Sequence, residues 1–190
     1  MSEPSIVPAA ARWRAFADIP ALAQRAADLL RTPNALLNLS PAEAACVVAH
    51  MQLVLFAQGA TLLHEGDNTH LDHMLLVLDG EVAVDTAAAG QPDAVAISVL
   101  GPGCIIGEMA VLDGAPRSAS CVASTPVQAA ALSRTGLEQL IEKYPQVAAK
   151  LLVGLATRIA DRLRALGEQL QIYAELVANL QAEVTRLGRR

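Results

Sequence analysis

The stretch Gly107-Glu108-Met109-Ala110-Val111-Leu112-Asp113-Gly114-Ala115-Pro116-Arg117-Ser118-Ala119-Ser120 concentrates the chemistry of this chain. Gly103 and Gly107 let the backbone turn sharply, and Glu108 to Leu112 is long enough for one turn of helix. The exposed N–H groups of such a turn form an anion site of the kind found at helix N-termini. Asp113-Gly114 and Pro116 then close the loop and return Arg117 towards the same spot. A fixed guanidinium facing a cluster of N–H groups suits a single phosphate, held by charge-assisted, bidentate bonds. Glu108 repels phosphate, so its place here makes sense as an acceptor for a sugar hydroxyl beside it. Cation on phosphate and carboxylate on ribose describe a ribonucleotide with a small anionic head.

On both sides of this segment, from Gln52 onward, short apolar runs alternate with Gly, Asp and Asn. The runs are Leu53 to Phe56, Thr61 to His64, Met74 to Leu78, Val82 to Asp85, Val95 to Leu100, Ser118 to Val122 and Val127 to Leu132. Val95, Ile97 and Val99 show the period of two expected of a strand. Turn residues separate the runs at Gly59, Gly66-Asp67, Asp79-Gly80, Gly90-Gln91-Pro92 and Gly101-Pro102-Gly103. Many short strands with glycine-rich corners predict an antiparallel sandwich or barrel rather than a βαβ sheet.

Helical texture flanks the strands. Residues 1–37 are Ala-rich, with helical spacing over Ala21 to Leu30 that Thr32-Pro33-Asn34 stops. Ser40-Pro41-Ala42-Glu43 is a capping box with proline at the first helical position, and predicts a helix from Pro41 to about His50. After the strand region, 38–134, a short helix fits Thr135 to Lys143, and Pro145 opens a longer one in the C-terminal region, 135–190. There Leu163, Leu170, Val177 and Val184 alternate with Leu166, Tyr173, Leu180 and Leu187 in a three-four spacing over four heptads. A helix of some forty residues is about 60 Å long, so most of it would project beyond a small barrel. Parallel pairing with a second copy is the simplest cover for its stripe. Folding back on its own domain or on the N-terminal helix is the alternative, and Ile172 and Leu176, off the seam, hint at extra packing.

The segment 107–120 resembles the phosphate-binding cassette of the cyclic-nucleotide-binding domain family, shared by catabolite-activator-type regulators, kinase regulatory subunits and gated channels. The pattern there is roughly Gly-Glu-x-Ala, several residues, then Pro-Arg-Ser/Ala/Thr-Ala-Ser/Thr. Gly107, Glu108, Ala110, Pro116, Arg117, Ser118, Ala119 and Ser120 match it. Gly59, Gly66, Gly80 and Gly103 also sit where that family's jelly roll turns, and the resemblance covers about residues 38–160. It implies a mainly β fold with flanking helices: an eight-stranded jelly-roll β-barrel followed by a long C-terminal coiled-coil helix.

The same resemblance implies a set of roles. Glu108 would hold the ribose 2′-hydroxyl and Arg117 the cyclic phosphate. The N–H groups of Gly107 and Ala110, with the backbone and hydroxyl of Ser118, would complete the phosphate shell; Met109, Pro116 and Ala119 belong to the same binding segment. In the family a residue of the long helix lids the base, and spacing from Pro145 makes Arg158 and Arg162 the candidates. Val84 and Ile97 are candidate walls for the base. Ser118 directly after Arg117 favours cAMP over cGMP, although its hydroxyl also suits guanine.

Composition bounds the remaining choices. Of 190 residues 53% are hydrophobic and 3% aromatic, so the core must be aliphatic. A formal net charge of −5 argues against nucleic acid as the main partner, which would favour a basic surplus. Cys46, Cys104 and Cys121 form no CxxC pair, and the N-terminus lacks a signal-peptide layout. No run of eighteen apolar residues occurs, and the expectation is a soluble, cytoplasmic protein without membrane contact. His64, His70 and His73, near Glu65, Asp67 and Asp72, read as a solvated loop rather than a metal site. No metal or other cofactor is expected, and no catalytic constellation stands out. Arg186, Arg189 and Arg190 complement the carbonyl end of the last helix. The chain stops at Gly188-Arg189-Arg190, leaving no room for a helix-turn-helix domain, so the expected target is an unknown separate protein. The alternatives are a ligand-free assembly module and a transcription regulator truncated before its DNA-binding domain.

Overall fold

Ser40 begins the second helix as its sequence predicts: its side chain accepts the Glu43 N–H while the Glu43 carboxylate accepts the Ser40 N–H. In this computed structural model, which describes residues 12–33, 38–69, 72–86 and 95–187, that helix is α2, Pro41–Val48. Asn34, His70, Gly90-Gln91-Pro92 and Gly188-Arg189-Arg190 lie outside the described residues. Before α2 come β1 (Arg12–Ala15) and α1 (Pro20–Leu30), the latter started by proline at its first position and burying Ala26, Ala27 and Leu30. Arg25 fastens α1 to the sheet, its Nε donating to the Leu78 carbonyl at 3.0 Å. Lys150 fastens the long helix to α2, its Nζ lying 2.6 Å from the Glu43 carboxylate.

The strands that follow are β2 (Met51–Phe56), β3 (Thr61–Leu63), β4 (His73–Asp79), β5 (Val82–Thr86), β6 (Val95–Leu100) and β7 (Ile105–Ile106). Then come α3 (Glu108–Asp113), β8 (Ser120–Ala123), β9 (Val127–Ser133), α4 (Arg134–Lys143) and α5 (Pro145–Leu187). All pairings are antiparallel, in a five-stranded sheet ordered β1-β2-β9-β4-β7 and a four-stranded sheet ordered β3-β8-β5-β6. Their inner faces share one aliphatic core that includes Val54, Leu75 and Val77 from one sheet and Leu63, Val82, Val84 and Cys121 from the other.

This corrects the expectation of a closed barrel. Among the described residues the two sheets remain separate, because β7 has only two residues and no ladder joins the edge strands of one sheet to those of the other. The fold is a β-sandwich with a C-terminal helix. β1 was not expected at all: it lies in the segment read as purely helical, and extends the first sheet by pairing Arg12–Ala15 with Leu55–Gln52.

The chain divides into two compact units, residues 1–154 and 155–190. The second is the distal part of α5. Along it the heptad residues Leu163, Leu166, Leu170, Tyr173, Val177, Leu180 and Val184 are all 45–70% exposed, so the single chain leaves the stripe uncovered. Among the described residues no helix is long and apolar enough to cross a membrane.

Candidate functional site

Glycine makes the cassette possible. Gly107 sits at φ 75°, a left-handed conformation, and a Cβ built there would lie 2.7 Å from Arg117 Nη1 and 2.9 Å from Leu63 Cδ1. The backbone angle disfavours a side chain, and Arg117 and Leu63 would have to move to admit one. α3 starts from this glycine and ends at Gly114, also left-handed, whose N–H bonds the Ala110 carbonyl at 3.0 Å. The Asp113 side chain then accepts the Ala115 N–H at 2.9 Å and shapes the return.

Arg117 is held at both ends. Its N–H donates to the Asp67 carbonyl at 3.0 Å and its own carbonyl accepts from Gly66 at 2.8 Å. Its Nη1 donates to the Gly107 carbonyl at 2.6 Å and its Nη2 to the His73 carbonyl at 2.8 Å. Arg117 is 4% exposed and Glu108 5%, and they are the two buried charged residues among those described. Burial draws the guanidinium pKa below its ordinary value, while Asp67, Asp72, Cys121 and Glu108 oppose that shift; the group stays charged at any physiological pH. Among the described residues nothing donates a hydrogen bond to the Glu108 carboxylate.

The other expected residues are placed as follows. Ala110 is a buried residue of α3 itself. Met109 is half-exposed, and its sulfur accepts the hydroxyl of exposed Ser118 at 3.8 Å. Pro116 is exposed, and Ala119 packs against the core. Val84 is a core residue on β5 paired with Cys121, close in sequence to the cassette end. Ile97 is on β6, its side chain outside the described set. Arg158 and Arg162 lie on α5 in the second unit. His64 bonds the Glu65 carbonyl and His73 the Asp72 carboxylate, and no group of three potential metal ligands occurs among the described residues.

Three supports had no signal in the sequence. The His73 carbonyl comes from β4, 44 residues from Arg117. The Glu65 N–H donates to Ser120 Oγ at 3.0 Å, tying the cassette's end to the turn after β3. Arg134, at the start of α4, donates from Nη2 to the Ala110 carbonyl at 2.9 Å, while its N–H bonds the Asp72 carbonyl at 2.5 Å.

A β-sandwich followed by a C-terminal helix is also what comparison with known proteins finds. Residues 53–144 match the family model for the cyclic nucleotide-binding domain. A cyclic nucleotide-binding domain of known crystal structure from Methylobacillus flagellatus KT is 34% identical, with a TM-score of 0.70 over 82% of this chain and 84% of that one. The chain belongs to the cyclic nucleotide-binding domain family. The Cyclic AMP receptor protein of Thermus thermophilus is 36% identical over 125 residues, which are 65% of this chain and 56% of that protein. The CRP-like cAMP-activated global transcriptional regulator of Mycobacterium tuberculosis is 23% identical over 163 residues, 86% of this chain and 70% of that one. In this cyclic nucleotide-binding family the relatives are regulators rather than enzymes, and the ligand class is a cyclic nucleotide.

Proposed function

We propose that this chain is a cytosolic cAMP sensor that changes conformation on binding and acts on a separate protein. The observation that carries this is the pair Glu108 and Arg117, opposite charges buried on one loop, the cation fixed by the carbonyls of Gly107 and His73. Fixing a cation before the ligand arrives removes an ordering cost from binding. Arg117 takes the cyclic phosphate with the N–H groups of Gly107 and Ala110 and with Ser118, and Glu108 takes the ribose 2′-hydroxyl. Met109, Pro116 and Ala119 shape the loop, Val84 and Ile97 wall the base, and Arg158 or Arg162 closes over it. Ser118 favours cAMP over cGMP.

The uncovered stripe on α5 supports a parallel homodimer, and binding biases an equilibrium between two positions of that helix. The acidic net charge of −5 supports a protein rather than a nucleic acid as the downstream target.

Calorimetry with cAMP and cGMP tests the reading. The expected result is tighter binding of cAMP, and a loss of about 100-fold or more in Arg117→Ala, the cost of removing one partner of a buried charge pair. Equal affinity of Arg117→Ala and the parent chain would refute the site.

A further inference from the structure

A cavity of about 1000 Å³ lies between β1, α1 and α2 on one side and the ends of β4 and β9 with α4 on the other. Most of the residues lining it precede residue 53, where the family match begins. Trp13, Phe16, Val48 and Met51 supply apolar and aromatic wall. A cavity of that size with a few convergent polar groups has the make-up of a small-molecule site.

The polar groups define the chemistry it accepts. His73 and His50 both line the cavity, and each has its Nδ1 engaged, by Asp72 at 3.0 Å and by the Cys46 carbonyl at 2.8 Å. In the neutral ring that leaves Nε2 as an acceptor for a donor on the ligand. Gln24, Gln52 and Gln139 add amides, and Trp13 stands edge-on to the His73 ring at 5.8 Å. Among the described residues neither Lys nor Arg lines the cavity, and Asp72, the one carboxylate that does, is bonded to His73. An anion would meet repulsion there, and a cation would find a single carboxylate that already shares one oxygen with His73 and stands mostly in water.

The cavity also shares residues with the cassette's supports. His73 presents its ring to the cavity and its carbonyl to Arg117. Asp72 and Thr135, both lining residues, flank the contact through which Arg134 holds the Ala110 carbonyl.

We propose that this cavity is an effector site for an uncharged aromatic compound carrying hydrogen-bond donors, of the aromatic-amide class, coupled to the cassette through His73 and Arg134. The coupling half rests on the cyclic-nucleotide reading; the cavity does not.

Trp13 is the single tryptophan of the chain, so its emission reports on the cavity wall. Titration of the full chain uses three probes of one shape: benzamide (uncharged), benzoate (anion) and benzamidine (cation). Benzamide is expected to change Trp13 emission saturably, and benzoate to leave it unchanged. Ala45→Phe, at an exposed position on the rim, is expected to abolish the benzamide response and keep the parent affinity for cAMP. Saturating benzamide is expected to change the Kd for cAMP by about fivefold or more, by linkage, and Ala45→Phe to remove that change. A benzamide response that never saturates, or that Ala45→Phe leaves intact, overturns the site. A response to benzoate or benzamidine as strong as that to benzamide overturns the ligand class. Saturable benzamide binding with no change in the Kd for cAMP overturns the coupling. A chain that binds no cyclic nucleotide refutes the sensor reading and the coupling together, and the Trp13 titration then decides the cavity alone.

Discussion

Replacing Gly107 by alanine separates the cost of an unusual backbone angle from the cost of displacing Arg117. Gly107 and Gly59 have nearly the same φ, 75° and 78°, but a Cβ at Gly59 meets nothing within 4 Å. Each alanine costs about 1–2 kcal/mol for the left-handed conformation. Reduced freedom of the unfolded chain returns roughly 0.4–1 kcal/mol of that, so Gly59→Ala should lose on the order of 1 kcal/mol. At Gly107 the new carbon would stand 2.7 Å from Arg117 Nη1 and 2.9 Å from Leu63 Cδ1, distances that force both side chains to move. Overpacking of this kind adds about 1–3 kcal/mol. Urea unfolding of the two variants should therefore differ by that amount. Calorimetry should differ more tellingly, because the guanidinium pushed off the Gly107 carbonyl is the one assigned to the phosphate. Gly107→Ala should bind cAMP about 10- to 100-fold more weakly, some 1.4–2.7 kcal/mol, and Gly59→Ala should bind as the parent does. Equal cAMP affinities in the two alanine variants would show that the position of Arg117 does not govern binding.

Glu108→Gln should weaken cAMP binding by about 1.5–3 kcal/mol, the worth of a hydrogen bond to a charged acceptor, and should leave the melting temperature equal or higher. A lower melting temperature would make Glu108 structural instead. The Lys150 ammonium, then the Ser40 N–H, holds the Glu43 carboxyl at about 2, below its ordinary value of 4.5. The folded-state value is the lower one, so this stabilisation is present above about pH 4.5 and fades as pH falls towards 2. Glu43→Gln should accordingly unfold with less pH dependence across that window, read by urea midpoints at a series of pH values, and an unchanged slope would contradict the assignment. Leu170→Glu combined with Val177→Glu, both on the exposed stripe, should convert a dimer to a monomer in sedimentation while cAMP still binds.

Local signals carried much of the fold. The capping box at Ser40 and the glycines around α3 act within a few residues of themselves, and the structure places a helix at each. Val95–Leu100 appears with the bounds that alternation gives. The elements that stayed hidden are those fixed by partners distant in sequence. β1 has only four residues in an Ala-rich stretch, and it is a strand because β2 offers it an edge. β7, at two residues, is too short to carry a period. Sheet closure depends on which edges meet, which no window of sequence encodes. The site divides the same way: Glu108 and Arg117 could be read from the loop, whereas the carbonyl of His73 could not, since any residue type offers a carbonyl and only the register of β4 against β9 and β7 puts this one in reach.

That choice of anchor bears on how the site works. Carbonyl dipoles of Gly107 and His73 fix where the guanidinium sits, so an arriving phosphate meets a cation already in position in a place with little water. The same arrangement makes the loop answerable to its surroundings. Ala110, whose N–H is assigned to the phosphate, gives its carbonyl to Arg134 at 2.9 Å, and Arg134 is the first residue of α4. A phosphate that draws α3 inward must therefore stretch that bond or carry the start of α4 with it. On the proposed sensor reading, the Arg134–Ala110 contact is where occupancy would pass from α3 to α4.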